Sequence, residues 1–358
     1  MTRADLIRHR LRNQKLFRTN LTMPAAVVSW LGAVQAQDYS GAKWALALRA
    51  KPLTDEDVDR AFNDGAILRT HVLRPTWHFV APADIRWILT LSAPRVHAVN
   101  AYYYRQQELD PPTLTRARGV VERALEGGKA LTREELASSL ERARIPASGM
   151  RLAYVVMHNE LERVICSGPR RGKQFTYMLL EERVAPAPVL TREETLAALA
   201  SRYFASHGPA TVRDYVWWSG LTVRDAKAGI ALAKPTLERE TIDDLTVWFV
   251  PSRVPAARPS PAIDLLPNYD EYGIAYKDRA VIAGVPRPRG RTDADEYPHL
   301  LTVDGQFVGR WRRTLSSRSV LLAVEPYRPL TKDEDRALSA ESARFGRFLD
   351  LPATLSKM

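Results

Sequence analysis

Apolar residues recur at helical spacing in three successive blocks of this chain, and each block closes on a short alternating run. In the first block, residues 25–34 place Val27, Val28, Trp30 and Leu31 on one face, which predicts an amphipathic helix. A second helix opens at Thr54-Asp55-Glu56-Asp57, where Thr54 can cap the first turn and the acids suit the positive end of the dipole. Gly65 ends it. Residues 67–73 and 76–80 then read as strands joined at Arg74-Pro75.

The second block repeats the order. Residues 115–126 are helical up to Gly127-Gly128, residues 132–144 begin with the capping-box spacing Thr132-Arg133-Glu134-Glu135, and residues 149–162 form a third helix. Two β-like runs, 164–166 and 174–179, flank a basic tip that contains Arg170, Arg171 and Lys173. In the third block, helices at 191–206, 211–219 and 222–233 precede β-like runs at 237–240 and 245–250. Short helix, tight turn, second helix and hairpin is the winged helix-turn-helix layout. Three copies are therefore expected, at residues 1–93, 94–186 and 187–260.

Beyond a Pro-rich stretch at 251–262 the pattern changes. Strands are predicted at 262–267, 300–303, 306–311 and 319–326, with Asp304-Gly305 marking a hairpin, and a helix at 331–349. Residues 261–358 thus read as a β-rich C-terminal extension, expected to pack on the third unit. The fold class is α+β.

Composition adds direction. Lys plus Arg number 52 against 41 Asp plus Glu, a formal charge of +11, and the pI near 9.8 is compatible with a polyanionic partner. Arginine dominates, and its planar fork suits phosphate and guanine. Cys166 is the only cysteine, which excludes an intrachain disulfide and a Cys-rich metal site. The N-terminal segment is charged and no apolar run reaches the roughly 20 residues of a membrane span, so a cytoplasmic chain is expected.

Candidate chemistry starts at Gln35 and Gln37. Paired amides are poor core residues, because each amide group has up to four hydrogen bonds to satisfy. They read either as helix-end polarity, with Gln35 exposed and Gln37 on a carbonyl, or as groups that orient a water or a base. Asp38 reads as an electrostatic partner or, in preference, as a cap for residues 40–48. Asp270 and Glu271 read as metal carboxylates or, in preference, as partners of arginines on a channel wall. No third ligand stands at a motif spacing, so no metal is expected. His71 and His78 lack His-x-x-x-His or Cys partners; each reads as a phosphate or base contact, or as a satisfied buried histidine. Arg74 and Trp77, in the same hairpin, are DNA-contact candidates, Trp77 by stacking. Arg170, Arg171 and Lys173 read as phosphate contacts or as a solvated turn, and so do Arg287, Arg289 and Arg291. Arg310 and Arg312 alternate on a strand and so could line one wall together. Trp217 and Trp218 read as core.

Several separated motifs carry a family resemblance. They are Gln35-Ala36-Gln37-Asp38, then Arg74-Pro75-Thr76-Trp77-His78-Phe79, then His207-Gly208-Pro209-Ala210-Thr211 with Asp214 and Trp217-Trp218-Ser219-Gly220-Leu221. Leu265-Leu266-Pro267-Asn268-Tyr269-Asp270-Glu271-Tyr272 and Val308-Gly309-Arg310-Trp311 follow in order. Together they resemble the signatures of the AlkZ/YcaQ family of DNA glycosylases, and Gln37, where the YcaQ-like branch has Asp, places the chain with the AlkZ-like branch. The resemblance implies three winged helix-turn-helix units in a C-shaped body around a basic channel, with Gln35 and Gln37 catalytic. It implies a monomeric enzyme without cofactor that excises N7- or N3-alkylated purines from double-stranded DNA, bulky adducts and interstrand crosslinks included. An N7-alkylated purine is already cationic, so its departure needs no general acid. Two neutral amides can position water and stabilise the sugar cation by orientation and dipole.

The alternative is a non-catalytic winged-helix DNA-binding protein or transcription regulator. Such a protein places a recognition helix in the major groove. The candidates here, 149–162 and 222–233, carry few base-reading side chains.

Overall fold

The computed structural model describes residues 1–17, 19–253, 256, 258–286 and 298–357. Helix α1 (Arg3–Asn13) opens the chain, started by Thr2 and Asp5, which cap each other's backbone N–H. The first block follows: α2 (Pro24–Leu31), β1 (Val34–Gln35), α3 (Tyr39–Arg49), α4 (Asp55–Asn63), β2 (Leu68–His71) and β3 (Trp77–Val80). Its antiparallel sheet has the order β1-β3-β2. A 25-residue helix, α5 (Pro82–Gln106), leads to the second block: α6 (Pro111–Leu125), β4 (Leu131–Thr132), α7 (Arg133–Arg142), α8 (Gly149–Leu161), β5 (Ile165–Ser167) and β6 (Thr176–Leu179). Its sheet has the equivalent order, β4-β6-β5.

After the short α9 (Leu180–Arg183), the third block is α10 (Arg192–Ser206), α11 (Val212–Ser219), α12 (Val223–Ala233), β7 (Glu238–Ile242) and β8 (Leu245–Phe249). A single bridge between Ala210 and Trp248 stands where the other blocks have their first strand. The remainder is β9 (Ile263–Leu266), α13 (Glu271–Ile274), β10 (Leu300–Val303), β11 (Gln306–Leu315), β12 (Val320–Pro326), α14 (Lys332–Leu349) and β13 (Ala353–Lys357). These strands form one sheet, β13-β12-β11-β10-β9, antiparallel except for β12 with β13. The chain is a mixed α+β protein, as its pattern predicts. No helix among the described residues is long and apolar enough to cross a membrane.

The threonine signals were reliable. Thr54, Thr132, Thr191, Thr211 and Thr331 each form a reciprocal capping box. Other expectations change. The helix predicted over 25–34 ends at Leu31, because Gly32 takes a positive φ of 85° and turns the chain into β1. The boundary expected at 93/94 falls within α5, which continues through Pro94. Helix α1 does not pack as part of the first block alone. Its Arg10 and Asn13 donate to the carbonyls of Pro209 and Gly208 in the third block.

Burial is organised around two cores. One runs through the second and third blocks and takes in Leu68, Val72 and Val80 of the first hairpin. The other joins α1, α2, α3 and α4 to the C-terminal sheet and α14. The extension was expected on the third block, but it packs on the first as well. Trp44 meets Phe345 and Phe348 at 4.9 and 5.2 Å, and Trp44 Nε1 donates to the Leu265 carbonyl at 2.7 Å. Toward the third block, Trp217 donates to Ile274 O, and Tyr203 to Ala275 O. The extension therefore braces the first and third blocks against each other.

Candidate active site

The segment carrying the paired glutamines is held to the first hairpin as an extra strand. Val34 and Gln35 pair with Phe79 and His78, and Ala36 N–H donates to the Trp77 carbonyl at 2.7 Å. Ala36 enters the core, and the chain bends at Gln37, just beyond the strand. The helix-end expectation fails at both: Gln35 is buried instead of exposed, and the exposed Gln37 accepts from a backbone N–H through its Oε1, with no bond to a carbonyl among the described residues.

Gln35 is fixed from two directions. Its N–H donates to Glu271 Oε1 at 2.9 Å, and its Oε1 accepts from Arg74 Nη2 at 2.7 Å. Glu271 is itself buried. Its other oxygen accepts the Trp218 indole N–H at 2.9 Å and lies 3.4 Å from His207 Nε2. Burial alone would raise the pKa of this carboxyl, but His207, the Gln35 N–H and His78 together hold it below the ordinary value. Glu271 was expected to meet an arginine; it meets a backbone N–H, an indole and an imidazole instead. Its neighbour Asp270 does pair with an arginine, taking a bidentate bond from Arg49, but with both side chains fully buried in the interior and not on a channel wall as expected.

Gln37 keeps most of its amide available. Its Oε1 accepts Trp77 N–H at 3.3 Å, and no partner for its amide nitrogen appears among the described residues. Asp38 occupies the N-cap position of α3, yet its side chain makes no capping bond. It accepts instead from Arg313 Nη2 at 2.9 Å. The preferred reading of Asp38 as a side-chain cap is corrected accordingly.

Trp77 is half-buried between two partners. The Arg69 guanidinium lies 4.2 Å from its ring centre, and the His71 ring lies 3.8 Å from it. His71 Nδ1 bonds to the buried carboxylate of Glu160 on α8, whose pKa burial raises against the opposing field of His71 and Arg69. His78 is buried too. Its Nδ1 bonds to the Thr76 carbonyl, and burial with the Arg74 charge lowers its pKa to about 3. At neutral pH His78 is uncharged. Both histidines are thus satisfied within the protein, which is the second of the two readings left open for them.

Gly220 links the third block to this site. Its φ is +68°, and a Cβ there would stand 2.3 Å from the Leu73 carbonyl oxygen and 3.3 Å from Arg74. Gly220→Ala should therefore cost about 1–3 kcal/mol in denaturant unfolding and lower excision by less than tenfold, through displacement of the hairpin that carries Arg74. Wild-type stability in this variant would show that the contact is soft.

The remaining candidates lie apart from the glutamines or are otherwise engaged. Arg170 stacks over Tyr39 and Phe175 at 4.9 and 5.3 Å and stands 3.5 Å from Asp59, so it braces the first block against the second. Arg171 is exposed and bonds Glu135 at 2.8 Å; Lys173 is exposed at the tip. Arg310 pairs with Glu325 and Arg312 is exposed, on the face of β11 opposite to buried Trp311 and to Arg313. Arg287, Arg289 and Arg291 lie outside the described residues. Sequence reasoning missed Arg69, Glu160 and Arg313. None stands in a motif; Arg69 arrives through the first hairpin, Glu160 from the second block and Arg313 from strand β11 of the extension. Trp218 is core as expected, whereas Trp217 is half-buried, with the Lys277 ammonium 4.3 Å from its ring centre.

The sequence model of the DNA glycosylase AlkZ-like family matches residues 28–348, and the chain belongs to that family. It is 27% identical over 365 residues to the interstrand DNA cross-link repair glycosylase of Streptomyces sahachiroi, covering 94% of each chain. The solved structure of the Streptomyces sahachiroi DNA glycosylase AlkZ superposes with a TM-score of 0.80 at 22% identity, covering 99% of both chains.

Proposed function

We propose that this protein is a monofunctional glycosylase that hydrolyses the N-glycosidic bond of cationic N7- or N3-alkylated purines in double-stranded DNA. Bulky adducts and interstrand crosslinks fall within that substrate class. The observation that carries the reading is the division of labour between the two amides. Gln35 is clamped by Glu271 and Arg74, while Gln37 stands beside it with an open amide.

The chemistry follows from that arrangement. As the glycosidic bond lengthens, its electron pair moves into the positively charged purine, which leaves neutral. Charge develops on the sugar, and a water must meet C1′ from the opposite side. Gln37 can donate an N–H to hold that water, while the second lone pair of its carbonyl oxygen, the negative end of the amide dipole, faces the sugar cation. Gln35 fixes the strand that leads into Gln37 and keeps Arg74 oriented. Water loses its proton to solvent after the C–O bond forms, so no base of matched pKa is required. His78, neutral above about pH 3, is not a proton donor to the leaving base in this scheme.

The three blocks, α2 to β3, α6 to β6 and α10 to β8, are read as winged helix-turn-helix units joined in part by α5, with 261–358 as the extension, forming a C-shaped body around DNA. Each has the order helix, strand, helix, helix and hairpin, with the last strand central in the first two sheets. Their third helices, the recognition-helix positions, are poorly suited to reading a groove. Helix α4 carries Asp55, Glu56, Asp57 and Asp59, which DNA phosphates repel. Helix α8 is largely buried, and α12 offers mainly Arg224 and Lys227. This favours an enzyme that binds backbone and lesion over a sequence-reading regulator. The protein is read as a cytoplasmic monomer that binds DNA through Arg74, Trp77, Arg171, Lys173 and Arg312, with Arg287 and Arg289 as further candidates.

Affinity for undamaged duplex should then be nearly independent of sequence and should fall steeply with salt. Arg171→Ala and Lys173→Ala should each lower the log–log salt slope by about one. A flat salt response, or loss confined to one sequence, would contradict backbone binding. The enzymatic reading itself is tested by release of free 7-methylguanine from methylated DNA.

A further inference from the structure

Away from the glutamines, three metal-ligating side chains converge where α5 crosses α8. His97 lies on α5. His158 lies on α8, and Glu162 is the C-cap residue of that helix. The last two are four residues apart and so share one helix face. Their ligand atoms and that of His97 all lie within 4.8 Å of one another, and the three residues are half-buried.

We propose that His97, His158 and Glu162 form a binding site for one divalent transition-metal ion of the zinc type, tying α5 to α8. Two imidazoles and a carboxylate, with a fourth position left for water, are a donor set zinc accepts. His97 Nε2 stands 3.0 Å from Glu162 Oε1. Two ligands on one tetrahedral zinc, at its usual bond lengths, stand roughly 3.3 Å apart. These two atoms are therefore already at ligand spacing, and the His158 ring, 5.1 Å from the His97 ring, closes the set by turning about its side-chain bonds.

Two further features fit a ligand role. His158 Nδ1 is a buried nitrogen without a hydrogen-bond partner, an arrangement that costs free energy unless something else binds the site. His97 Nδ1, the ring nitrogen that does not face Glu162, lies 2.8 Å from the hydroxyl of Tyr104 on the same helix. On metal binding the neutral imidazole takes its other tautomer, the proton passing by way of solvent from Nε2 to Nδ1, and Nδ1–H donates to Tyr104, the outer hydrogen bond that orients metal-bound imidazoles. Arg118, whose field reaches His158, is tied to Glu122 at 2.8 Å. Helix α8 also carries Glu160, the partner of His71, so a bound ion would stiffen the helix that holds that side of the candidate active site.

The test uses the full-length protein stripped with EDTA and dialysed into metal-free buffer. Zinc chloride titration against a chromophoric zinc indicator should show about one tight equivalent per chain. His97→Ala and His158→Ala should each weaken that binding at least about tenfold, and Tyr104→Phe up to about tenfold. Cobalt substituted for zinc should give the visible absorption of a tetrahedral site, lost in the same variants. Glu162→Gln alters a half-exposed cap residue and should keep the fold while losing zinc, which separates ligand loss from misfolding. No zinc retained by the wild type, or undiminished binding in His97→Ala, His158→Ala and Glu162→Gln, would overturn the proposal.

Discussion

Single-turnover excision of a cationic purine should fall by about 10²-fold when Gln37 is replaced by alanine, the loss expected when one positioned polar group is removed from a developing charge. The side chain is exposed and its carbonyl makes only a long bond to Trp77 N–H, so the substitution leaves no buried group unsatisfied. Stability and lesion affinity should therefore stay near wild type, and the loss should appear in the rate of the bound complex. Gln37→Glu separates two roles. A carboxylate could still accept from Trp77 and attract a sugar cation, but it cannot donate an N–H to water. Asp38 already places a carboxylate one residue away. On this account Gln37→Glu also loses activity. Retained activity would assign Gln37 to charge stabilisation alone.

The largest loss of stability is expected at Arg49. Its guanidinium bonds both oxygens of Asp270 at 2.7 and 2.8 Å, the Ala45 carbonyl at 2.9 Å and Gln14 at 3.0 Å, all in the interior. Alanine at this position leaves Asp270 buried without its counter-charge and should cost roughly 3–5 kcal/mol in denaturant unfolding. Arg49→Lys should recover only part of this, because an ammonium cannot make the two parallel bonds. The effect reaches the candidate site through the chain, since Asp270 precedes the Glu271 that holds Gln35. A variant with wild-type stability would show that the pair contributes nothing net.

What the sequence revealed follows the range of the physics involved. Helix starts were legible because a threonine cap and an acid three residues later act within one turn, as at Thr132 and Thr191. The first hairpin was legible from its alternation. Strand β1 was not, because a two-residue strand has no periodicity and exists only through its pairing with β3. That pairing buries Gln35, which a local reading as helix-end polarity leaves exposed. Glu271 stood in a recognised motif, yet its partners Gln35, Trp218 and His207 are between 53 and 236 residues away, or beyond any local signal. Basic residues were visible as charge, but not their engagements. Arg170 is packed on two aromatic rings, whereas Lys173 nearby is exposed.

The measurement that bears most directly on the account is product analysis with methylated duplex DNA, comparing wild type and Gln37→Ala under single-turnover conditions with borohydride present. Wild-type protein should release free 7-methylguanine and leave an intact strand with an abasic site and no trapped covalent adduct, while Gln37→Ala releases it about 10²-fold more slowly. Wild-type protein that binds the duplex but releases no base, a stable Schiff-base adduct, or equal rates for the two proteins would contradict it.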